Sequence, residues 1–110
     1  MKQYVIDSLN IKDISSIKEV LVNRFGTPLM GEIFSAELDY DVLNEEQKNH
    51  KECAPHYITL LLGETSLTAE ILVRSPKTMR CSCMGYADEQ QVLWIINLVE
   101  DILMEANVGI

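Results

Sequence analysis

Between Tyr57 and Met84 three strand-like runs follow one another with very little between them. Tyr57 to Leu62 ends at Gly63-Glu64, Ser66 to Arg74 ends at Ser75-Pro76-Lys77, and Thr78 to Met84 closes the series. Parallel neighbours need a crossover of about a dozen residues, so connections this short force antiparallel hairpins. Any fold of this chain is therefore built around an antiparallel sheet.

The cover for that sheet is written in the last quarter of the chain. Val92, Ile95, Ile96, Val99, Ile102, Leu103 and Ala106 recur at helical spacing, which predicts a helix from about Asp88 to Ala106 with one apolar stripe. Asp88 and Glu89 favour its dipole at the amino end, whereas Glu100, Asp101 and Glu105 oppose it at the other. A second helix is predicted from Ile14, Ile17, Leu21 and Phe25, capped by Asp13 or Ser15 and ended by Gly26 and Pro28.

Two further strands complete the reading. Tyr4 to Leu9 is a short run of strand formers. Glu32 to Leu43 alternates, with Phe34, Ala36, Leu38, Tyr40 and Val42 on one face and Ser35, Glu37, Asp39 and Asp41 on the other. Asn44 to Pro55 is polar and is expected to be a mobile loop or a short helical turn capped by Asn44. The expected fold is one α+β domain over residues 1–110, in the order β-α-β-β-β-β-α. It has a five-stranded, mostly antiparallel sheet with two helices on one face. A chain of 110 residues with 47% hydrophobic and 24% charged residues is of ordinary domain size and composition, so a true core is expected.

Charge narrows the function. The net charge is −8, and it is localised: residues 32–56 hold seven acidic against two basic groups, and residues 88–110 hold five acidic and no basic ones. Nucleic acid and anionic membrane surfaces repel such a chain, and neither is expected as a partner. Arg74, Lys77 and Arg80, around the Pro76 turn, form the one local basic cluster. They offer a candidate anion site, or they guard an edge strand against aggregation. The chain opens Met1-Lys2-Gln3 without an apolar stretch, and it has three cysteines, so a reduced, cytoplasmic protein is expected.

The most chemical-looking residues are His50, Cys53 and His56, spaced His-x2-Cys-x2-His, together with Cys81 and Cys83. Two cysteines two apart on a strand point their thiols to one face. Four of these five side chains are enough to hold zinc. Cys81 and Cys83 can equally fill the core, because free cysteine is a small hydrophobe. The nucleophile, phosphate-loop and dinucleotide motifs are absent, and a Cys53 nucleophile beside His50 or His56 would sit in a loop, so no catalytic residues are assigned.

Trp94 and Leu98 flank the stripe of the last helix. They either finish the core at the sheet edge or form a patch for a second subunit. The acidic strand face of Glu37, Asp39 and Asp41 is the next candidate surface. The sequence is read as a non-catalytic protein–protein interaction module, pairing as a homodimer and needing no cofactor. The alternative is a small metal-binding or redox protein using Cys81 and Cys83 with Cys53, His50 or His56.

The order of elements also resembles one half of the TATA-box-binding protein family. Cys83-Met84-Gly85-Tyr86-Ala87-Asp88-Glu89 is similar to that family's strand-to-helix junction, with its small residue, its Gly and its acidic helix start. The resemblance implies a fold of that kind without its DNA binding, because no Phe pair is placed to wedge base steps and the sheet lacks a basic face. Leu21-Val22-Asn23-Arg24-Phe25-Gly26 is similar to the end of the first helix of type III secretion chaperones, which are small, acidic and dimeric. Those proteins begin with that helix, whereas this chain begins with a strand. This second likeness implies a chaperone or decoy that engages a basic protein.

Overall fold

The structure is a computed structural model that describes residues 2–28 and 30–109. It is α+β. Its elements in chain order are β1 (Gln3–Ile6), α1 (Ile11–Phe25), β2 (Ile33–Glu37), α2 (Glu45–Asn49), β3 (Tyr57–Leu62), β4 (Leu67–Glu70), β5 (Leu72–Val73), β6 (Gly85–Tyr86) and α3 (Glu89–Glu105). Single 3-10 turns at Tyr40–Val42 and Lys51–Cys53 flank α2.

The sheet is antiparallel throughout, as the short connections require, but it is not one sheet of five strands. Four strands run in the order β1-β4-β3-β2, and β5 and β6 form a separate pair. Leu60 faces Ala69, yet Tyr57, three residues earlier, bridges to Arg74, five residues later. Two extra residues therefore bulge from the strand expected over Ser66 to Arg74, and it splits into β4 and β5.

Three further expectations are corrected. The strand expected over Thr78 to Met84 does not form, because its polar groups bond locally. Lys77 N–H donates to Ser75 Oγ, Arg80 N–H to Thr78 Oγ1, and Met84 N–H to Cys81 O, which leaves no ladder to extend. Only Gly85–Tyr86 pairs as a strand, with Leu72–Val73. The strand expected over Glu32 to Leu43 stops at Glu37, where its partner β3 begins at Tyr57 and the preceding Pro55 has no N–H to offer. Of the proposed acidic strand face only Glu37 lies on the strand. Asp41 lies in the 3-10 turn that follows, and Asp39 stands at the cap position before it. The cap of α1 is Asn10 rather than Asp13 or Ser15: Asp13 N–H donates to Asn10 Oδ1 at 2.8 Å, and Asp13 returns a carboxylate to Asn10 N–H.

The core forms where α1 and α3 meet one face of the four-stranded sheet. Phe34, Ala36, Ile58, Leu60, Leu62, Leu67 and Ala69 share that face by register. They cluster with Ile17, Val20 and Leu21 of α1 and Ile95, Val99, Ile102 and Leu103 of α3. The opposite face carries a row across the strands, Ile33–Leu61–Thr68–Val5, whose ends are 41% and 46% exposed. Among the described residues no helix is long and apolar enough to cross a membrane.

Candidate metal centre

The polar segment after β2 is an ordered platform. Asn44 caps α2, and Gln47, three residues on, closes a capping box with it. His50 ends that helix, and the chain turns at once into Lys51–Cys53, with Cys53 N–H donating to His50 O at 3.0 Å. His50 and Cys53 are thereby held three residues apart on one tight turn. Opposite them, the turn from Cys81 to Met84 presents both of its cysteines.

Gln47 fastens the two halves together. Buried at 3% exposure, it donates from Nε2 to Cys83 O at 3.1 Å. Its Oε1 accepts from Gln91 Nε2 at 2.8 Å, and the same Gln91 nitrogen donates to Val42 O at 3.0 Å. Gln91 Oε1 in turn accepts from Asp88 N–H, closing the capping box of α3. Ser75 Oγ donates to Cys53 O from below. Every polar atom of the two buried amides thus has a partner, which is the condition for a buried polar network to order its surroundings.

Within this frame the ligand atoms of His50, Cys53, Cys81 and Cys83 all lie within 4.8 Å of one another. Cys53 Sγ is 3.7 Å from Cys81 Sγ, and His50 Nδ1 is 3.0 Å from Cys81 Sγ. A tetrahedron with Zn–S bonds of about 2.3 Å has S–S edges of about 3.8 Å, so the cysteine pair already has that spacing. The His50–Cys81 separation is that of a hydrogen bond and widens by about half an ångström in such a site. These four side chains form a close cluster that can hold a metal ion. The three thiols are free.

The environment separates their acidities. Backbone and side-chain hydrogen bonds from Cys83 bring the Cys81 thiol down to about 7. Burial pushes the Cys83 thiol up to about 12, and burial likewise raises Cys53. The hydrogen bond to Cys81 raises His50 above the ordinary imidazole value. The metal-free cluster therefore sets its most acidic thiol, Cys81, beside an imidazole shifted toward its charged form, with Cys53 and Cys83 shifted toward their protonated forms.

The other candidates are placed differently. His56 lies outside the four-ligand cluster, although its Nε2 is 3.3 Å from Cys83 Sγ. Burial, and then the charge on His50, lower its pKa and keep it neutral. Cys81 and Cys83 sit in a turn, not on a strand, so no shared strand face brings them together. Arg74 of the basic cluster is 3.3 Å from the buried carboxylate of Glu70 and so already has its anion, while Lys77 and Arg80 stand exposed. Trp94 and Leu98 both pack against the core, and the indole N–H of Trp94 donates to Asp39 Oδ2 at 3.1 Å.

Sequence reasoning passed over Gln47 and Gln91. A signal existed for each: Asn44-x-x-Gln47 and Asp88-x-x-Gln91 both carry the capping-box spacing, and Gln91 stands four residues before Ile95 on the buried stripe. No family model matches the chain, and no curated protein or solved structure matches it.

Proposed function

We propose that this protein is a small metal-binding domain that holds one zinc ion through His50, Cys53, Cys81 and Cys83. The observation that carries the reading is the convergence of four ligand atoms within 4.8 Å from two segments about thirty residues apart. Three thiolates and an imidazole are a zinc set. With all four positions taken by protein, no site is left for water or substrate, so the ion is structural rather than catalytic. It ties the turn at Cys81–Met84, which lacks a strand ladder, to the platform of α2.

The test is a zinc titration against a chromophoric chelator, with Cys81→Ser and His50→Ala beside the wild type. The reading expects one ion per chain and a loss of affinity in both variants. A wild type that takes up no zinc under reducing conditions overturns it.

The reading as a protein-interaction module has one observation in its favour, the row Ile33–Leu61–Thr68–Val5 on the opposite sheet face. Sedimentation of the wild type and Ile33→Lys separates it from the metal reading: a partnered face loses mass with the charge, and a free one does not.

A further inference from the structure

We propose that His56 is a positioning residue of the metal centre, donating its Nε2–H to the Cys83 sulfur and so holding that sulfur as a charged ligand. This rests on the reading of His50, Cys53, Cys81 and Cys83 as the metal ligands.

His56 precedes β3 and is 2% exposed. Its backbone is fixed, because its carbonyl accepts from Leu38 N–H at 3.0 Å. The ring reaches Cys83 Sγ at 3.3 Å through Nε2, while Nδ1 is buried and has no hydrogen-bond partner among the described residues. A neutral imidazole has one N–H to place. On Nδ1 that proton would be an orphaned buried donor, so it belongs on Nε2, facing sulfur.

Burying an imidazole costs free energy unless its polar atoms are satisfied. A thiol is a weak acceptor and offers little return. A thiolate is a strong one, because a hydrogen bond to a charged group is about twice as strong as a neutral one. Cys83 is itself 2% exposed, so a charge on its sulfur is stabilised by neighbouring donors rather than by water. The His56 contact therefore acts fully only when Cys83 is ionised, which is the state a metal imposes. Partners of this kind outside the ligand set orient the ligand and tune the ion.

The experiment measures zinc affinity by chelator competition in the wild type, His56→Leu and His56→Gln. It also records the sulfur-to-cobalt charge-transfer band of each Co(II)-loaded protein. His56→Leu is expected to weaken zinc binding roughly 10–100-fold. It should also move the cobalt band to lower energy, because an undonated sulfur lone pair lies higher. Gln, whose amide N–H reaches the same position, should recover most of the affinity and the band position. Wild-type affinity and band in His56→Leu overturn the proposal, as does an equal loss in both variants without a band shift. Nitrogen-15 NMR of the zinc-loaded wild type needs no variant. The Nε2–H tautomer of His56 is expected, and an Nδ1–H tautomer overturns the proposal. A wild type that binds neither metal overturns this inference and the metal reading together, whereas a failure confined to His56 leaves the metal reading standing.

Discussion

Gln91 Nε2 lies 2.8 Å from Gln47 Oε1, and through that one contact the amino end of α3 is joined to the platform that carries His50 and Cys53. Both amides are buried, so the contact is shielded from water. Gln91→Leu takes the side-chain partner from Val42 O and from Asp88 N–H, and leaves Gln47 Oε1 with Asn44 N–H as its remaining donor. A buried polar group left unpaired costs about 1–3 kcal/mol, and a loss of about 2 kcal/mol in unfolding free energy is expected. Urea unfolding of the variant measures it. A loss below about 0.5 kcal/mol would show that the amide network is not what joins the two regions.

The apolar stripe of α3 makes a sharper demand. Val99 is 1% exposed and Leu93, on the opposite side, is 62% exposed. An unpaired buried carboxylate costs several kcal/mol, comparable to the stability of a domain this size. Val99→Asp is expected to unfold the protein, while Leu93→Asp keeps the wild-type melting temperature within a few degrees. A folded Val99→Asp contradicts the register of the helix.

Trp94 packs against the core and spends its N–H on Asp39 within the same chain. Trp94→Ala should therefore act on stability, by about 2 kcal/mol, less than the 3–5 kcal/mol of a fully buried ring. Light scattering should give an unchanged mass. A fall in mass with no loss of stability would instead make the ring an intersubunit contact.

On the zinc reading, chelation of the ion should loosen one region and spare the rest. Among the described residues the main apolar cluster is built without the three cysteines. After chelation the far-ultraviolet circular dichroism is expected to persist. The amides of Cys53 and Met84, which bond to His50 O and Cys81 O, should exchange faster while those of β3 and β4 do not. Uniform acceleration across the chain would mean that the ion holds the whole fold.

The pH dependence of binding has a definite sign. In the metal-free protein Cys83, near 12, and Cys53, also raised, carry protons at neutral pH. The metal displaces them, so the bound state holds fewer protons and affinity rises with pH. Release of roughly two protons or more steepens the apparent Kd by about a hundredfold per pH unit or more between pH 6 and 8. Calorimetry in two buffers of different ionisation enthalpy counts the protons. A count near zero contradicts the assignment of buried thiols as ligands.

Local rules served the sequence well where they governed the chain. The Asn44 cap and the end of α1 at Gly26 are present, and so is most of the α3 stripe, in Ile95, Val99, Ile102, Leu103 and Ala106. The face is turned, however, so that Trp94 and Leu98 pack against the core in place of Val92 and Ile96. The five candidate ligands were legible as residue types, and four of them converge. Their arrangement was not legible, because it depends on Ser75 and Thr78 diverting the backbone from the strand that Thr78 to Met84 resembles. The two-residue bulge that separates β4 from β5 is also a pairing event between distant residues, which no local pattern records. The role of Gln47 and Gln91 required knowing that two capping boxes meet in space.

The most direct test of the central claim is X-ray absorption at the zinc edge of protein loaded with one equivalent of zinc. The account predicts three sulfur atoms at about 2.3 Å and one nitrogen at about 2.0–2.1 Å, with no vacant position. A first shell of nitrogen and oxygen only, or one with fewer than three sulfurs, would contradict a centre built from His50, Cys53, Cys81 and Cys83.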